Sequence, residues 1–379
     1  MATVLPTSSN EAVAVIKATA PKYYKKESDL TFRRRLWLAM LEKYGQIEYN
    51  ADSFACVWPV EFSQPIVRQY GDSGDQEFNE HDALRQLTVD VRGYTTTDRL
   101  TKKKALMNKG ASQIYNLYER KSANLLKSMR NKFYGELYVD GYATGNANRL
   151  IGIESFMASG TTVAADIVAQ PSDTYAGQST ILGNAGGNWT AGLATKPNAA
   201  VATDWPYGTG DSEYDYMAPL LVNTTSTSWN AATKTWPNTC VEVLRFAGTT
   251  LATRTGAEGD DSVPTIHMLN SKMYTEFLNH FTDSQRILVP HKEADNLGFY
   301  RTMQFEGAIV HFEFDCPVNT GYGLTPSQME LFSMEDQLFV PDGPEWSITK
   351  KGWLYELGMF GNLRFSSPKF FAKYFNYAA

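Results

Sequence analysis

The sequence is short of the residues that usually carry chemistry. Its three cysteines, Cys56, Cys240 and Cys316, lie far apart and form no CxxC pair, which excludes a zinc knuckle or a thioredoxin-like motif. An odd number of distant thiols argues against a disulfide framework and for reduced structural cysteines in a protein made in a cytoplasm. The five histidines, His81, His267, His280, His291 and His311, are isolated, and HExxH is absent. So are the GxSxG nucleophile elbow and the GxGxxG and Walker loops that cradle phosphates. No window of about 18 apolar residues occurs, so no transmembrane span is expected. The opening MATVLPTSSNEAVAVIKATAPKYY lacks the charged leader and apolar stretch of a secretory signal. Net positive charge is missing too. At −6 the chain is not expected to attract nucleic acid over its whole surface, although a local basic face is compatible with that total.

What is present is aromatic surface. Tyr, Phe and Trp number 21, 20 and 8, and such side chains favour broad contact areas, in protein interfaces and in sugar binders alike. At 379 residues the chain exceeds one ordinary domain and can bury a core of useful size.

Residues 1–45 read as an arm with a short helix. Pro6 and Pro21 break its polar start, then ESDLTFRRRLWLAMLEKYG offers Ser28 or Asp29 as cap and Gly45 as stop. Leu30, Trp37 and Leu41 fall near one face, and Arg33, Arg34 and Arg35 wrap the other, as a solvated surface or as a contact with an anionic neighbour. Residues 46–97 read as a long hairpin: QIEYNADSFACVWPVEF and LRQLTVDVRGYTTT flank the polar tip RQYGDSGDQEFNEHD. A ribbon of that length needs a partner for its apolar side, from its own chain or a neighbour.

From Thr97 or Asp98 a long helix is expected to run to about 139, with Met107, Ala111, Ile114, Leu125, Met129 and Phe133 at three- and four-residue steps. Roughly 36 helical residues would span about 55 Å. Its solvent side is almost wholly basic and begins at Lys102, Lys103 and Lys104. DGYATGNANRLIGIESFM follows with turn signals. Residues 158–236, rich in Gly, Ala, Thr, Ser and Asn with scattered tryptophans, read as surface loops. Beyond them a helix capped by Asn238 or Thr239, the strand VPTIHMLN, a helix capped by Ser271 and two strands broken at Gly307 point to mixed layers. Residues 341–379 are strand-rich.

No constellation for catalysis, cofactor or metal rises from this pattern. On a strand His311, Glu313 and Asp315 would share a face and could hold a divalent cation, but alternation with Phe312 and Phe314 is explained by a strand with one wet and one dry side. Asp211, Glu213 and Asp215 lack the spacing of a calcium loop.

The order of parts resembles the HK97-like major capsid proteins of tailed phages, with local likeness in ELYVDGYATGNANRLIGIESF, TIHMLNSKMYTEFL and GNLRFSSPKFFAKYF. The resemblance implies an α+β fold: an N-terminal arm (1–45), an E-loop hairpin (46–97), the P-domain spine helix and following strand (98–150), an A-domain (151–340) with a surface insertion at about 158–236, and a return to P-domain strands (341–379). It implies a non-enzymatic subunit without cofactor, made in the host cytoplasm, that joins copies of itself in hexamers and pentamers around phage DNA. DNA would be met by non-specific contact, with Arg33, Arg34 and Arg35 as candidate DNA-facing or neighbour-facing residues. Asp72, Asp75, Glu77 and Glu80 at the hairpin tip would meet Lys102, Lys103 and Lys104 of a neighbour. Separate scaffold, decoration and portal proteins are compatible with it, because a long scaffolding extension is not seen before the arm; a membrane is not involved. Two other readings stay open: a β-rich carbohydrate-active enzyme or binding module, favoured by the Trp-containing middle, and another virion protein such as a tail or portal subunit.

Overall fold

The computed structural model describes residues 35–51, 53–61, 84–103, 111–157, 174–179, 217, 219–225, 229–254, 265–283 and 302–375. Its first helix, α1 (Leu36–Lys43), buries every residue from Leu36 to Leu41, the mark of an interior helix and not an amphipathic one. It starts at Leu36, with Arg35 as an extended N-cap, and the caps expected at Ser28 or Asp29 lie outside the described residues; Gly45, at φ +68°, closes the end. After the short strand β1 (Ile47–Glu48), strands β2 (Ala55–Glu61) and β3 (Leu84–Asp90) pair antiparallel from Ala55↔Asp90 to Glu61↔Leu84. These are the arms of the expected ribbon; its tip lies outside the described residues.

Strand β4 (Arg92–Thr101) departs from expectation. The helix placed from Thr97 or Asp98 is strand as far as Thr101. GYTTTDRLT is rich in β-formers, and it pairs position by position with the distant segment Gly352–Gly361, a non-local gain that outweighs the capping preference of Asp98. Helix α2 (Ala111–Glu136) has 26 described residues, about 39 Å at 1.5 Å each. Leu125, Met129 and Phe133 face inward as their spacing predicts. Residues 137–157 then fold back over the helix end so closely that a Cβ on Gly152 would sit 2.4 Å from the Glu136 carbonyl oxygen.

The hairpin β5 (Thr174–Tyr175) and β6 (Gln178–Ser179) turns through Ala176 and Gly177, both at positive φ. Strand β7 (Leu220–Asn223) precedes helix α3 (Trp236–Arg254), which starts ahead of the expected cap, at Trp236 with Pro237 in its first turn. Strand β8 (Ile266–Leu269) and helix α4 (Ser271–Asp283) follow; the α4 cap is Asn270, whose Oδ1 accepts from the Lys272 N–H at 3.1 Å, and not Ser271. Strands β9 (Met303–Phe305) and β10 (Ala308–Phe312) form a tight hairpin through Glu306 and Gly307, both at positive φ. The chain ends in β11 (Thr320–Leu324), β12 (Met329–Ser333), β13 (Val340–Ser347), β14 (Gly352–Phe365) and β15 (Ala372–Phe375).

Two main sheets result. One runs β1–β12–β14–β13, with β4 also on β14; the other runs β7–β15–β11–β8–β10–β9. The second is apolar on both faces. Ile266, Met268, Ile309 and Tyr322 point into the core shared with α1 and α2, while Val222, Leu269, Val310 and Tyr374 point into the core under α3 and α4. This explains the near-continuous apolar runs of its strands. Within 158–236, expected to be surface loops, the described residues Tyr175, Leu220–Val222, Trp229 and Trp236 are core, while most of the stretch lies outside the described residues. The Trp229 and Trp236 indole N–H groups donate to the carbonyls of Asn223 and Met273, each at 2.8 Å. No described helix is long and apolar enough to cross a membrane.

Candidate assembly surface

The β2–β3 ribbon presents two different faces. Trp58, Leu87 and Val89 are buried against the body, while Val57 and Leu84 on the other side are 51% and 60% exposed. Phe54, just before β2, is 86% exposed. The apolar side expected to need a partner thus finds one in its own chain near the root, and the outward apolar residues are left uncovered.

The root is fixed by specific bonds. Trp58 Nε1 donates to the Ser366 carbonyl at 3.3 Å. Asn362, fully buried on β14, accepts from the Ile151 N–H at 2.9 Å and donates to the Asp90 carbonyl at 2.8 Å, at the point where β3 passes into β4. Arg364 lies beneath the ribbon: its guanidinium is 5.4 Å from the Trp58 ring, 3.8 Å from Cys56 Sγ, and ion-paired with Glu330 of β12. Burial pushes the Cys56 thiol up, and burial likewise raises Glu330, which also shares a hydrogen bond with Glu48.

Strands β13, β14 and β4 extend as a three-stranded tongue. Near its end, Lys102 donates its backbone N–H to the Lys351 carbonyl at 3.0 Å, so exposed Lys102, Lys103, Lys350 and Lys351 are gathered there. A groove of about 430 Å³ beside them is lined by residues including Asp342, Glu345, Glu356 and Lys350. Trp346, packed 4.9 Å from Trp353, and Ile348, 82% exposed, complete this end. A lone apolar residue in SITKK is the only sequence signal of it.

Of the residues singled out from sequence, Lys102 and Lys103 are exposed and well separated from the ribbon root. Lys104, Arg33, Arg34, Asp72, Asp75, Glu77 and Glu80 lie outside the described residues. Arg35 is turned inward. Its guanidinium reaches Glu313 at 2.6 Å and Asp315 at 2.9 Å and lies 4.8 Å from the Tyr134 ring. It therefore ties α1 to the loop after β10 and has little charge to offer DNA. The same contacts correct the idea of a shared strand face for His311, Glu313 and Asp315: β10 ends at Phe312, and the two carboxylates converge on Arg35. Burial, outweighing Arg35, pushes Glu313 up to about 7. No cluster of metal-ligating side chains occurs among the described residues. His267 is buried with Nδ1 2.7 Å from the Tyr374 hydroxyl, and burial lowers it to about 4. The loop after β10 also exposes Phe314 and Val318, at 80% and 75%, which sequence reasoning passed over.

No protein-family model and no curated protein sequence matches the chain. Solved structures do. The capsid of an empty GTA particle aligns with 91% of this chain and 91% of its own, at TM-score 0.53 and 9% identity. The capsid of the native GTA particle covers the same shares at TM-score 0.52 and 10% identity. The capsid asymmetric unit of cyanophage A-1(L) aligns over 89% of this chain and 92% of that one, at TM-score 0.51 and 14% identity. The chain has the HK97-like capsid fold. At such low identity the likeness is one of fold. Among the described residues, the ribbon, the tongue and the loop after β10 carry most of the exposed large apolar side chains.

Proposed function

We propose that this chain is the major capsid protein of a tailed phage, assembling with copies of itself into the icosahedral shell around the genome. The observation that carries the reading is the match of about nine-tenths of the chain, in both directions, to subunits of capsids. The β2–β3 ribbon, rooted on the body with Val57 and Leu84 turned outward, supports it as an E-loop that lies across an adjacent subunit. On this reading α2 is the spine helix, the sheet built on β14 belongs to the P-domain, and the six-stranded sheet with α3 and α4 is the A-domain.

The work of such a subunit is repeated association through moderate interfaces that adapt to hexamers and pentamers, and it needs no catalytic group. DNA inside is met loosely, and scaffold, decoration and portal proteins are its expected separate partners. Lys102 and Lys103, exposed at the end of the tongue, are suited to receive Asp72, Asp75, Glu77 and Glu80 of a neighbour. A carbohydrate-binding role draws no support from Trp229 and Trp236, which are spent in the core. Electron microscopy of the protein expressed alone and with candidate scaffolds tests the proposal. Closed isometric shells are expected; only monomers, or only rings, would overturn it.

A further inference from the structure

Arg364 joins the ribbon to the body by contacts of three kinds. On the body side it forms an ion pair with Glu330, its cross-strand neighbour in the β12–β14 ladder. On the ribbon side its guanidinium carbon lies over the Trp58 ring, 5.4 Å from the centroid, and Nη1 points at the Cys56 sulfur. Both ribbon residues belong to the inner face of β2, where Trp58 stands opposite Leu87 and Cys56 opposite Val89. Only a long side chain with a flat, forked cation can meet a carboxylate, an indole face and a thiol at once. At 27% exposure the side chain is partly shielded from water, which strengthens these contacts. Two other root bonds act at the ribbon's margin: Asn362 holds the Asp90 carbonyl, and the edge of the Trp58 indole donates to the Ser366 carbonyl. Arg364 is placed to fix tilt, because it grips the face of the ribbon and not its rim.

We infer that Arg364 is the positioning residue of the ribbon, setting the angle at which β2–β3 leaves the body and so the angle offered to an adjacent copy. The inference rests on the shell-subunit reading for its consequence, but its structural half can be tested without assembly. Cys56 is the natural probe, since it is half-buried on the inner face of the ribbon, whereas Cys240 and Cys316 are buried elsewhere.

The experiment is iodoacetamide alkylation of the full-length, unassembled subunit, followed by mass spectrometry at each cysteine. The variants are Arg364→Met, which keeps bulk and removes the charge and the fork, and Arg364→Lys, which keeps the charge alone. Removing the guanidinium makes the Cys56 thiolate less favourable, so chemistry alone predicts slower alkylation in Arg364→Met. A released ribbon predicts the opposite, a rate at least about fivefold faster at Cys56 only. Arg364→Lys, retaining the pair with Glu330 and losing the fork that reaches Trp58 and Cys56 together, should fall between. Unchanged or slower Cys56 alkylation in both variants overturns the inference, and so does an equal rise at Cys240 and Cys316, which would make Arg364 a support of the body. Irregular or open particles from variants with fast Cys56 support the positioning role, whereas wild-type shells from the same variants overturn it. If the wild-type protein forms no particle, the capsid reading fails while the alkylation rates still judge the grip.

Discussion

At the scale of single residues, two buried titratable groups act in opposite directions. His267 is neutral when folded and lowered to about 4, so between that value and the ordinary 6.5 the unfolded chain holds the extra proton. Stability from this group rises with pH across that window, by about 3 kcal/mol in all. Glu313 is raised to about 7, so above the ordinary 4.5 the folded chain holds the extra proton and stability falls as pH rises to 7. The two nearly cancel between pH 4.5 and 6.5. Relative to wild type, His267→Gln should therefore lose the rising contribution and become less stable toward neutral pH, while Glu313→Gln should gain stability toward neutral pH. Urea unfolding of the unassembled subunit at pH 5 and pH 7 measures both; parallel pH profiles for the three proteins would refute the opposition. His267 was legible only as an isolated histidine in VPTIHMLN. Its burial depends on α3 crossing the sheet, with Gly248 next to the ring, which no local pattern encodes. Arg35 likewise belonged to a basic run in sequence, and its carboxylate partners are 278 and more residues away.

At the scale of elements, the segment after α2 has little room for change. Glu136, at the helix end, is buried. Burial works against its charge, but hydrogen bonds from Arg149, Tyr94 and Lys132 outweigh this and hold it below its ordinary value. Glu136→Leu should cost about 2 kcal/mol, less than a fully buried pair would, because Arg149 is 35% exposed and regains water. Gly152→Ala is a harsher change, since the new Cβ would meet three backbone carbonyls within 2.6 Å. It should cost about 4 kcal/mol or prevent folding, read from thermal unfolding and soluble yield. These elements also mark where sequence was sufficient. The apolar run of β8, the amphipathic α4 and the Glu306–Gly307 turn carry their structure locally, and each was foreseen to within a few residues. The start of α2 was misplaced because the β-formers of TTTDRLT were outweighed by the capping signal of Thr97 and Asp98, and the pairing with distant β14 that decides for strand is not visible locally. The middle segment misled for a related reason: its Gly- and Thr-rich composition hid β7 and two core tryptophans whose burial is decided by distant strands.

At the scale of the whole molecule, what remains uncovered is organised by charge and apolar surface. If the ribbon-tip carboxylates meet Lys102–Lys104 of a neighbour, reversing Asp72, Asp75, Glu77 and Glu80 to Lys should abolish or greatly reduce particles while the subunit stays folded. Reversal of Lys102, Lys103 and Lys104 to Glu in the same chain should restore them. Sedimentation with circular dichroism reads both properties; normal particles from the tip mutant alone would count against the pairing. The outline of the fold was legible because it lies in the order of parts. The surfaces were less so, since exposed Phe314, Val318 and Ile348 become conspicuous only once their neighbours are known to be buried.

Strand β14 has one further consequence. It adjoins β4, β12 and β13 in turn and runs unbroken from Gly352 at the tongue to Phe365 beside the ribbon, about 45 Å of extended chain. A pull along it therefore travels through covalent bonds braced by hydrogen-bonded ladders, on both edges from Gly352 to Gly358 and by β12 from Gly361 to Phe365. The strand thus joins the ribbon's root to the far end of the tongue as one continuous strut.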